Sequence, residues 1–469
     1  MDSKLFEHEF HSETNQLRKD NKNIFNRLKS IEEDASFVNE ILEMFPTLAA
    51  IANERCGSWY IDRSKRKVYS AYFKSTDGHT GQWDFNLRRN NLSLIRTIAT
   101  HGGCVIVDST RRGKRIPDAL SKTVPIWCAV INRALAIYRS RASLPTLDNW
   151  DTSFYSLPSI VSRSEDSQIT SKLDMFAERL LSSGVDMQPL EGLLRKPLRP
   201  LWFTPQSSLF ANAPDYGDAT FWPVICLSAS QAVESGCQAR SGYLYVQGSG
   251  DDQEAWCLGL THSLFWKNRE DLLDVSSAVE CEDKVRALVK SSKGHIEEDE
   301  EGDQKYHYIS NTGIAVGTRT SGKPPMCWKE FDVVVNCTTL EYNENKLEEH
   351  KHQYIQLPIP EGKKGQQALF DHIGIALAFV RQPLLEKRRV LVHCAKGQDR
   401  SVGIALAILV KYFDQKGVFQ PEGVGRVDKQ VIQHHLLSII SSRPKASPSR
   451  ATLKKINTYF MSSSSTAHD

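Results

Sequence analysis

One nine-residue string, His393-Cys394-Ala395-Lys396-Gly397-Gln398-Asp399-Arg400-Ser401, constrains this chain more than any other. The β-branched run RRVLV precedes it, and SVGIALAILVKYF, apolar and of helical length, follows it. Polar residues that interrupt two apolar elements in this way make a loop between a strand and a helix. Such a loop can wrap a tetrahedral oxyanion, because its backbone N–H groups turn inward and the helix N-terminus adds roughly half a positive charge. Gly397 lets the backbone approach closely, and Arg400 closes the cup with a bidentate fork. In that field Cys394 is expected to ionise, with Ser401 placed to hydrogen-bond its sulfur. Lys396 and His393 complete the expected set of phosphate contacts.

Around the loop the hydrophobic pattern alternates. FDVVVNC and RRVLVHC carry short β-branched runs, whereas QALFDHIGIALAFV and SVGIALAILVKYF are helical in length. Strands alternating with helices predict an α/β layer structure with a mostly parallel sheet. The order strand, Cys, five residues, Arg, Ser resembles the cysteine phosphatases, and residues Asp332 to Tyr459 resemble their dual-specificity branch. Binding a phosphate and hydrolysing its ester are separate claims, since hydrolysis needs an acid for the leaving oxygen. In the dual-specificity enzymes that acid is an Asp on a loop before the Cys; the matching stretch here, IQLPIPEGKKG, offers only Glu361. Asp399, just before Arg400, matches the position of a proposed acid in inositide phosphatases of the myotubularin type.

The upstream half has its own pattern. Apolar residues at spacings of three and four predict a helix from about Leu17 to Met44. SWYIDR and VYSAYF are β-prone, NLSLIRTIATHGG is a helix with a glycine stop, LDMFAERLLSSG is helical, and FWPVICLS and GYLYVQGSGDDQEAW continue the same domain. Ser- and Pro-containing stretches between Ser140 and Ser171 predict surface connections. Two polar loops stand out: Lys74 to Trp83, containing Asp77 and His79, and Ser109 to Asp118. The second leaves a β-branched run ending at Asp108 and carries Arg111, Arg112, Gly113, Lys114 and Arg115. Such a loop suits a diphosphate or a sugar phosphate, because N–H groups and cations meet several oxyanions at once.

These elements predict a distinct N-terminal α+β domain over residues 1–290, a flexible acidic linker over 291–306 and the phosphatase-like α/β domain over 307–469. The linker has almost nothing apolar with which to offset ordering entropy. It also hides the charge balance. Lys+Arg 59 against Asp+Glu 56 gives +3, but six acids sit between Glu297 and Asp303, and leaving them aside moves the remainder to +9. A polyanionic partner fits that remainder. The ten cysteines contain no CxxC pair, which argues against a zinc site and for reduced core thiols of a cytoplasmic chain, with the nucleus also open. The N-terminus lacks a basic-then-apolar leader, and apolar runs such as GIALAILV are too short to cross a bilayer.

Several long strings in order, ERCGSWYI, YFKSTDGHTGQW, GGCVIVDSTRRGKRIPDALSKTVPIWCAVINR, LYVQGSGDDQEAW and CAKGQDRS, resemble the initiator-tRNA phosphoribosyltransferases of fungi and plants over most of the chain. The resemblance implies transfer of a 5-phosphoribosyl group from phosphoribosyl diphosphate to the 2'-hydroxyl of a T-stem purine in initiator tRNA, which excludes that tRNA from elongation. A phosphoinositide or protein phosphatase is the alternative, supported by the C-terminal third alone.

In the implied scheme one donor phosphate occupies the His393–Ser401 cup, with Arg400 and Lys396 as its cationic contacts and Cys394 lining it. Arg111, Arg112, Lys114 and Arg115 serve the diphosphate or the tRNA backbone. Mg²⁺ arrives with the diphosphate, with Asp77 or Asp108 as its ligands. Asp399, Asp77 and His79 are the candidate bases for the acceptor hydroxyl. Clusters at Arg63 to Lys67, Arg88–Arg89, Arg111 to Arg115 and Lys387 to Arg389 are further candidates for RNA phosphate contacts. No membrane and no obligate protein partner are expected.

Overall fold

The computed structural model describes residues 22–207, 214–292, 305–342, 353–425, 427–443 and 445–462. These divide into two compact units. The first holds the described residues of 22–86, 94–181 and 186–292; the second holds 87–93, 182–185 and those from 305 onward. Residues 17–21 of the expected N-terminal helix, and residues 293–304 of the expected linker with its acidic run, lie outside the described residues.

The first unit is built on five parallel strands, β1 (Ala49–Asn53), β2 (Val68–Ala71), β3 (Cys104–Asp108), β4 (Leu198–Phe203) and β5 (Trp222–Ser228), in the order β2-β1-β3-β5-β4. Every residue of β3 is fully buried. This explains its unbroken apolar run, since a central parallel strand is covered on both faces. Helix α1 (Ile24–Met44) starts where the Asn23 side chain accepts from the N–H groups of Phe25 and Asn26. Its Leu28, Ile31, Val38 and Ile41 share a core with Val105, Val107 and Ile225.

Helix α2 (Ser93–His101) ends at Gly102 and Gly103, both with positive φ. A π-helical turn, Ala119–Thr123, leads into α3 (Val124–Arg141). The hairpin of β6 (Cys237–Arg240) and β7 (Tyr243–Val246) is antiparallel. The sheet of the N-terminal half is thus itself parallel, and the α/β layering expected downstream extends through it.

Two local expectations need correction. SWYIDR is not a strand: Gly57–Tyr60 forms a 3₁₀ turn in which Gly57 lies so close to β3 that a Cβ would sit 2.2 Å from the Val107 carbonyl oxygen. The Ser140–Ser171 connection contains a helix, α4 (Arg163–Thr170), capped by the Ser162 side chain and anchored by fully buried Ile169. It precedes α5 (Leu173–Leu181).

The second unit carries β8 (Tyr306–Tyr308), β9 (Ile314–Gly317), β10 (Val333–Asn336), β11 (Tyr354–Gln356) and β12 (Val390–His393), in the order β11-β10-β12-β9-β8. Only β8 is antiparallel. Helices α6 (Gly365–Leu385), α7 (Arg400–Tyr412), α8 (Lys429–Ser442) and α9 (Arg450–Ser462) complete it. Helix α7 is apolar all round because it is buried all round, from Arg400 to Val410. A further correction concerns α6. The 24-residue segment Gly362–Leu385 is long and apolar enough to cross a membrane by length and composition, and its Leu369, Ile373, Ala376, Val380 and Leu384 pack in the core of this unit.

In each sheet the central strand, β3 or β12, delivers its loop at a carboxyl edge, and a mostly buried helix follows. In the first unit that edge is a switch point, since the chain leaves β1 toward β2 on one side and returns to β3 on the other. Open parallel sheets bind ligands in the crevice at such points.

Candidate oxyanion sites

In the second unit the carbonyls of Ala395 to Asp399, in the loop after β12, are held from behind. Arg319 N–H donates to the Ala395 oxygen at 3.2 Å, Ser447 N–H to that of Gln398 at 2.9 Å and Gly403 N–H to that of Asp399 at 2.9 Å. Arg443 donates to the remaining two, through Nε to Gly397 at 2.8 Å and through Nη2 to Lys396 at 3.3 Å. With the oxygens committed outward, the amide N–H groups are left to face the cup. Gly397 has φ of +65°, and a Cβ there would lie 2.5 Å from Arg443 Nη2 and 2.6 Å from the Gly317 oxygen. Only glycine fits.

Cys394 lies on the floor of this cup, and Ser401 Oγ donates to its sulfur at 3.2 Å. Burial, the largest single influence, would raise its pKa. The Ser401 hydroxyl and N–H, the Arg400 charge and the Gln398 N–H outweigh it and hold the thiol below its ordinary value. Arg400 is itself buried. Its Nη1 donates to the Ile359 oxygen at 2.9 Å and its Nη2 stands 4.0 Å from Glu361 Oε1 on the exposed lip. The expected members Cys394, Lys396, Gly397, Arg400 and Ser401 therefore come together, with the Lys396 side chain exposed.

Asp399 is turned toward the start of α9, where its Oδ1 accepts from Ser449 N–H at 2.9 Å and the Thr452 hydroxyl at 2.7 Å. His393 departs from its expected role as a phosphate contact. It ends β12 at 0% exposure, with Nε2 3.3 Å from the Tyr342 hydroxyl, and burial together with the nearby Arg319 charge lowers its pKa to about 3. It is a neutral packing group beneath the loop.

The first unit repeats the device at the end of β3. Gln247 Nε2 lies 3.2, 3.2 and 2.8 Å from the carbonyl oxygens of Thr110, Arg111 and Lys114, and Ser228 Oγ donates to that of Arg115 at 2.8 Å. The side chains of Arg111, Arg112, Lys114 and Arg115 are thereby left exposed. Arg111 pairs with Asp251 and Asp252, and Lys114 with Asp118. Arg112 and Arg115 make no ion pair among the described residues, so they are the cations available to an incoming anion. Ser109 and Arg115 are spaced as Cys394 and Arg400 are, with a hydroxyl in place of the thiol. Ser109 Oγ is buried against Tyr60 and Ser230, and Ser230 reaches Asp34, whose pKa burial raises to about 8. A carboxyl protonated at neutral pH does not activate that hydroxyl as a nucleophile.

Asp108 does not fit the expected role of metal ligand. It is fully buried and accepts from Asn53 Nδ2 at 2.8 Å, Arg55 Nη2 at 3.1 Å, the Cys56 thiol at 3.0 Å and Ser109 N–H at 2.8 Å. Its oxygens are already committed to these donors, one of them a guanidinium that neutralises its charge, which leaves it poorly suited to hold a cation. Asp77 lies in a 3₁₀ turn with Asn86 Nδ2 at 3.4 Å from its Oδ2. Among the described residues no group of three metal-ligating side chains exists. The residues do not fit a resident Mg²⁺.

His79 is exposed, with Nε2 3.6 Å from Asp118 Oδ2, the same oxygen that holds Lys114. The Lys74–Trp83 loop and the basic loop thus meet at Asp118. Lys122, nearly buried in the π-turn, bonds Glu165 at 3.0 Å, which also accepts from Thr80 and Trp83. Of the candidate RNA-contacting clusters, Arg63 pairs with Glu54, Arg388 with Glu386 and Arg389 with Asp332.

Arg443, Gln247 and Arg55 escaped the sequence reading. The repeated hydroxyl-x5-Arg spacing was the one available signal for the first loop; a lone Arg in a Ser/Pro-rich segment offered none for Arg443.

A family model described as the Rit1 N-terminal domain matches residues 17–290, and one described as the Rit1 DUSP-like domain matches residues 353–460. An uncharacterized protein of Schizosaccharomyces pombe is 35% identical over 94% of this chain and 95% of its own. The tRNA A64-2'-O-ribosylphosphate transferase of Saccharomyces cerevisiae is 34% identical over 95% of this chain and 93% of its own. Among solved structures, human DUSP28 matches 34% of this chain and 97% of its own at 14% identity and a TM-score of 0.26. The Yvh1 phosphatase domain of Chaetomium thermophilum matches 35% and 99% at 16% identity and 0.28.

Proposed function

The chain belongs to the Rit1 family, and from that premise we propose that it is a tRNA-modifying transferase that moves a 5-phosphoribosyl group from phosphoribosyl diphosphate to the 2'-hydroxyl of a T-stem purine in initiator tRNA. The observation that carries this reading is the similarity to the S. cerevisiae ribosylphosphate transferase, which covers 95% of the chain and so spans both units. A phosphatase alone would leave the first unit unexplained.

Transfer at the anomeric carbon passes through an oxocarbenium-like state with diphosphate departing, so the protein's work is positioning and charge neutralisation. Each unit offers a loop suited to that work. The cup over Cys394 is shaped for one tetrahedral phosphate, whereas the open loop with Arg112 and Arg115 suits a diphosphate or an RNA backbone. His79, exposed and backed by Asp118, is the base proposed for the acceptor hydroxyl. Any Mg²⁺ would enter on the donor's own diphosphate oxygens. Exclusion of the modified tRNA from elongation follows as the proposed consequence.

Cys394, its pKa held below the ordinary thiol value with Ser401 bonded to its sulfur, keeps the phosphatase alternative specific enough to test. Cys394→Ser should retain labelling of tRNA from phosphoribosyl diphosphate. If it abolishes both labelling and release of phosphate from aryl phosphates, the thiolate is a nucleophile and the transferase reading of the cup is wrong.

A further inference from the structure

The two sheets share a strand order that their chain order conceals. Taken from one edge, the second unit runs β8-β9-β12-β10-β11 and the first runs β4-β5-β3-β1-β2. If β4 and β5 stood ahead of β1 in the chain, the two sheets would be connected alike, with the central strand last in each. A helix joins the far edge strand to the central one in both, α2 between β2 and β3 and α6 between β11 and β12. An asparagine ends the strand beside the central one: Asn336 lies opposite His393, and Asn53 bonds Asp108 at 2.8 Å. The near edge strands differ, since β4 runs parallel to β5 and β8 antiparallel to β9. The first sheet is thus a circular permutation of the second, and Ser109 to Arg115 occupy the place that Cys394 to Arg400 occupy downstream.

Shared order assigns no ligand; the main chain of the loop does. Among the described residues, the N–H groups of residues 110–113 and 115 donate to no acceptor, as is true of residues 395–397 and 399 in the second unit. The carbonyls that alternate with them are drawn to the other side by Gln247 and Ser228. Gln247 is 3% exposed, and Val233 N–H donates to its Oε1 at 3.0 Å, which turns Nε2 toward the loop. Gly248, at φ of +70°, presses on the same face: a Cβ there would lie 2.7 Å from the Thr110 oxygen. The nearby carboxylates are already neutralised, Asp108 by Arg55, Asp251 by Arg55 and Arg111, and Asp118 by Lys114.

We propose that residues 109–115 form a second oxyanion cup, which takes a terminal phosphoryl group, as on a phosphomonoester or a diphosphate, through its backbone amides. Successive N–H groups on a short arc make a concave anion site. A terminal phosphoryl group brings three non-bridging oxygens to such an arc, whereas a phosphate within an RNA backbone brings two and carries a sugar on either side. The exposed Arg112 and Arg115 add attraction at the rim. The cup binds without cleaving, because Ser109 N–H is committed to Asp108 at 2.8 Å and the Ser109 hydroxyl is held between Tyr60 and Ser230. The chain then has two sites for terminal phosphoryl groups, one in each unit. The second cup rests on the reading of the first loop as an anion site and names the class of phosphate it takes; transfer to tRNA is not required.

The test is a calorimetric titration of the full chain with sodium tungstate, a tetrahedral dianion. The wild type should bind two equivalents, of which Arg400→Ala keeps the one in the first unit. Gln247→Leu takes the donor from three loop carbonyls and should weaken that site about tenfold or more, leaving the Cys394 cup intact. Ser228→Ala frees the Arg115 carbonyl alone and should weaken the same site by about threefold, a milder change in case Gln247→Leu does not fold, with circular dichroism checking both. In Arg400→Ala, ribose 5-phosphate should displace the remaining tungstate, and an RNA duplex without terminal phosphates should not. A single equivalent in the wild type, lost in Arg400→Ala, would overturn the proposal. So would a second equivalent that neither Gln247→Leu nor Ser228→Ala weakens, or one that the RNA duplex displaces and ribose 5-phosphate does not. All of these arms read binding of small anions, so a failure to label tRNA would refute the transferase reading and leave the second cup standing.

Discussion

Replacing Arg443 by methionine tests the account of how the second unit's cup is built. The side chain is fully buried and donates to the oxygens of Gly397 at 2.8 Å and Lys396 at 3.3 Å, and its Nη1 lies 3.0 Å from His307 Nδ1. Methionine keeps much of the volume and removes all the donors. Two loop carbonyls then lose their partner, at a cost of about 1–3 kcal/mol each. Removing a buried cation returns part of its desolvation cost, so a net loss of about 2–4 kcal/mol is expected. At roughly 2–4 °C per kcal/mol for a unit of this size, the corresponding melting transition should fall by about 4–16 °C.

Function should suffer more than stability alone implies. A loop whose oxygens are no longer committed outward can turn them into the cup, where they repel an anion. Tungstate or phosphate affinity measured calorimetrically below the melting transition should drop at least tenfold, about 1.4 kcal/mol. The rate of Cys394 alkylation by iodoacetamide should need a higher pH to reach its plateau. Lysine at this position, with one ammonium for two oxygens, should fall between. A folded Arg443→Met protein that binds tungstate as tightly as the wild type, with an unchanged alkylation profile, would refute the idea that carbonyl capture organises the cup.

Other expectations follow from the same geometry. Ser401→Ala should move the Cys394 alkylation profile to higher pH, since it removes the hydroxyl that stabilises the thiolate; an unmoved profile would assign the effect elsewhere. The buried neutral histidines predict acid sensitivity. His393 at about 3 and His435 at about 4 lie below the ordinary 6.5, both lowered chiefly by burial, so the unfolded chain binds their protons first. Their contribution is intact above about pH 6.5 and is lost as pH falls toward these values, at up to about 1.4 kcal/mol per pH unit for each group. His435→Asn should flatten the decline in stability between pH 6.5 and 5, and an unchanged slope would count against this assignment. Charge reversal at Arg112 and Arg115 should weaken tRNA binding and reduce its salt dependence, and a salt slope equal to the wild type would remove the first loop from the RNA path. His79→Ala should lower kcat while leaving the donor KM nearly unchanged; a variant as fast as the wild type would exclude His79 as the base.

What the sequence disclosed and what it withheld divide along physical lines. The Cys394 loop was legible because its features are local in the chain: a strand, a glycine, an arginine and a helix within about twenty residues. The parallel character of the first sheet was harder to see. Its strands are short and separated by long connections, and the run SWYIDR has strand-like composition but must turn where Gly57 presses on β3. Asp108 attracted a metal role because an acid at the end of a strand resembles a ligand. Only the fold shows Asn53, Arg55 and Cys56 arriving from β1 to occupy it. Arg443 and Gln247 do their work through side chains that cross to loops far away in sequence, and no periodicity or spacing encodes such a contact.

The central claim is transfer of a phosphoribosyl group to RNA, and it is tested most directly by incubating the purified chain with phosphoribosyl diphosphate labelled in its 5-phosphate and with initiator and elongator tRNAs in separate reactions. The account predicts label on the initiator tRNA, confined to a T-stem purine, and lost when Arg400 is replaced by alanine. Absence of label from both tRNAs, with phosphate released from aryl phosphates instead, would contradict it.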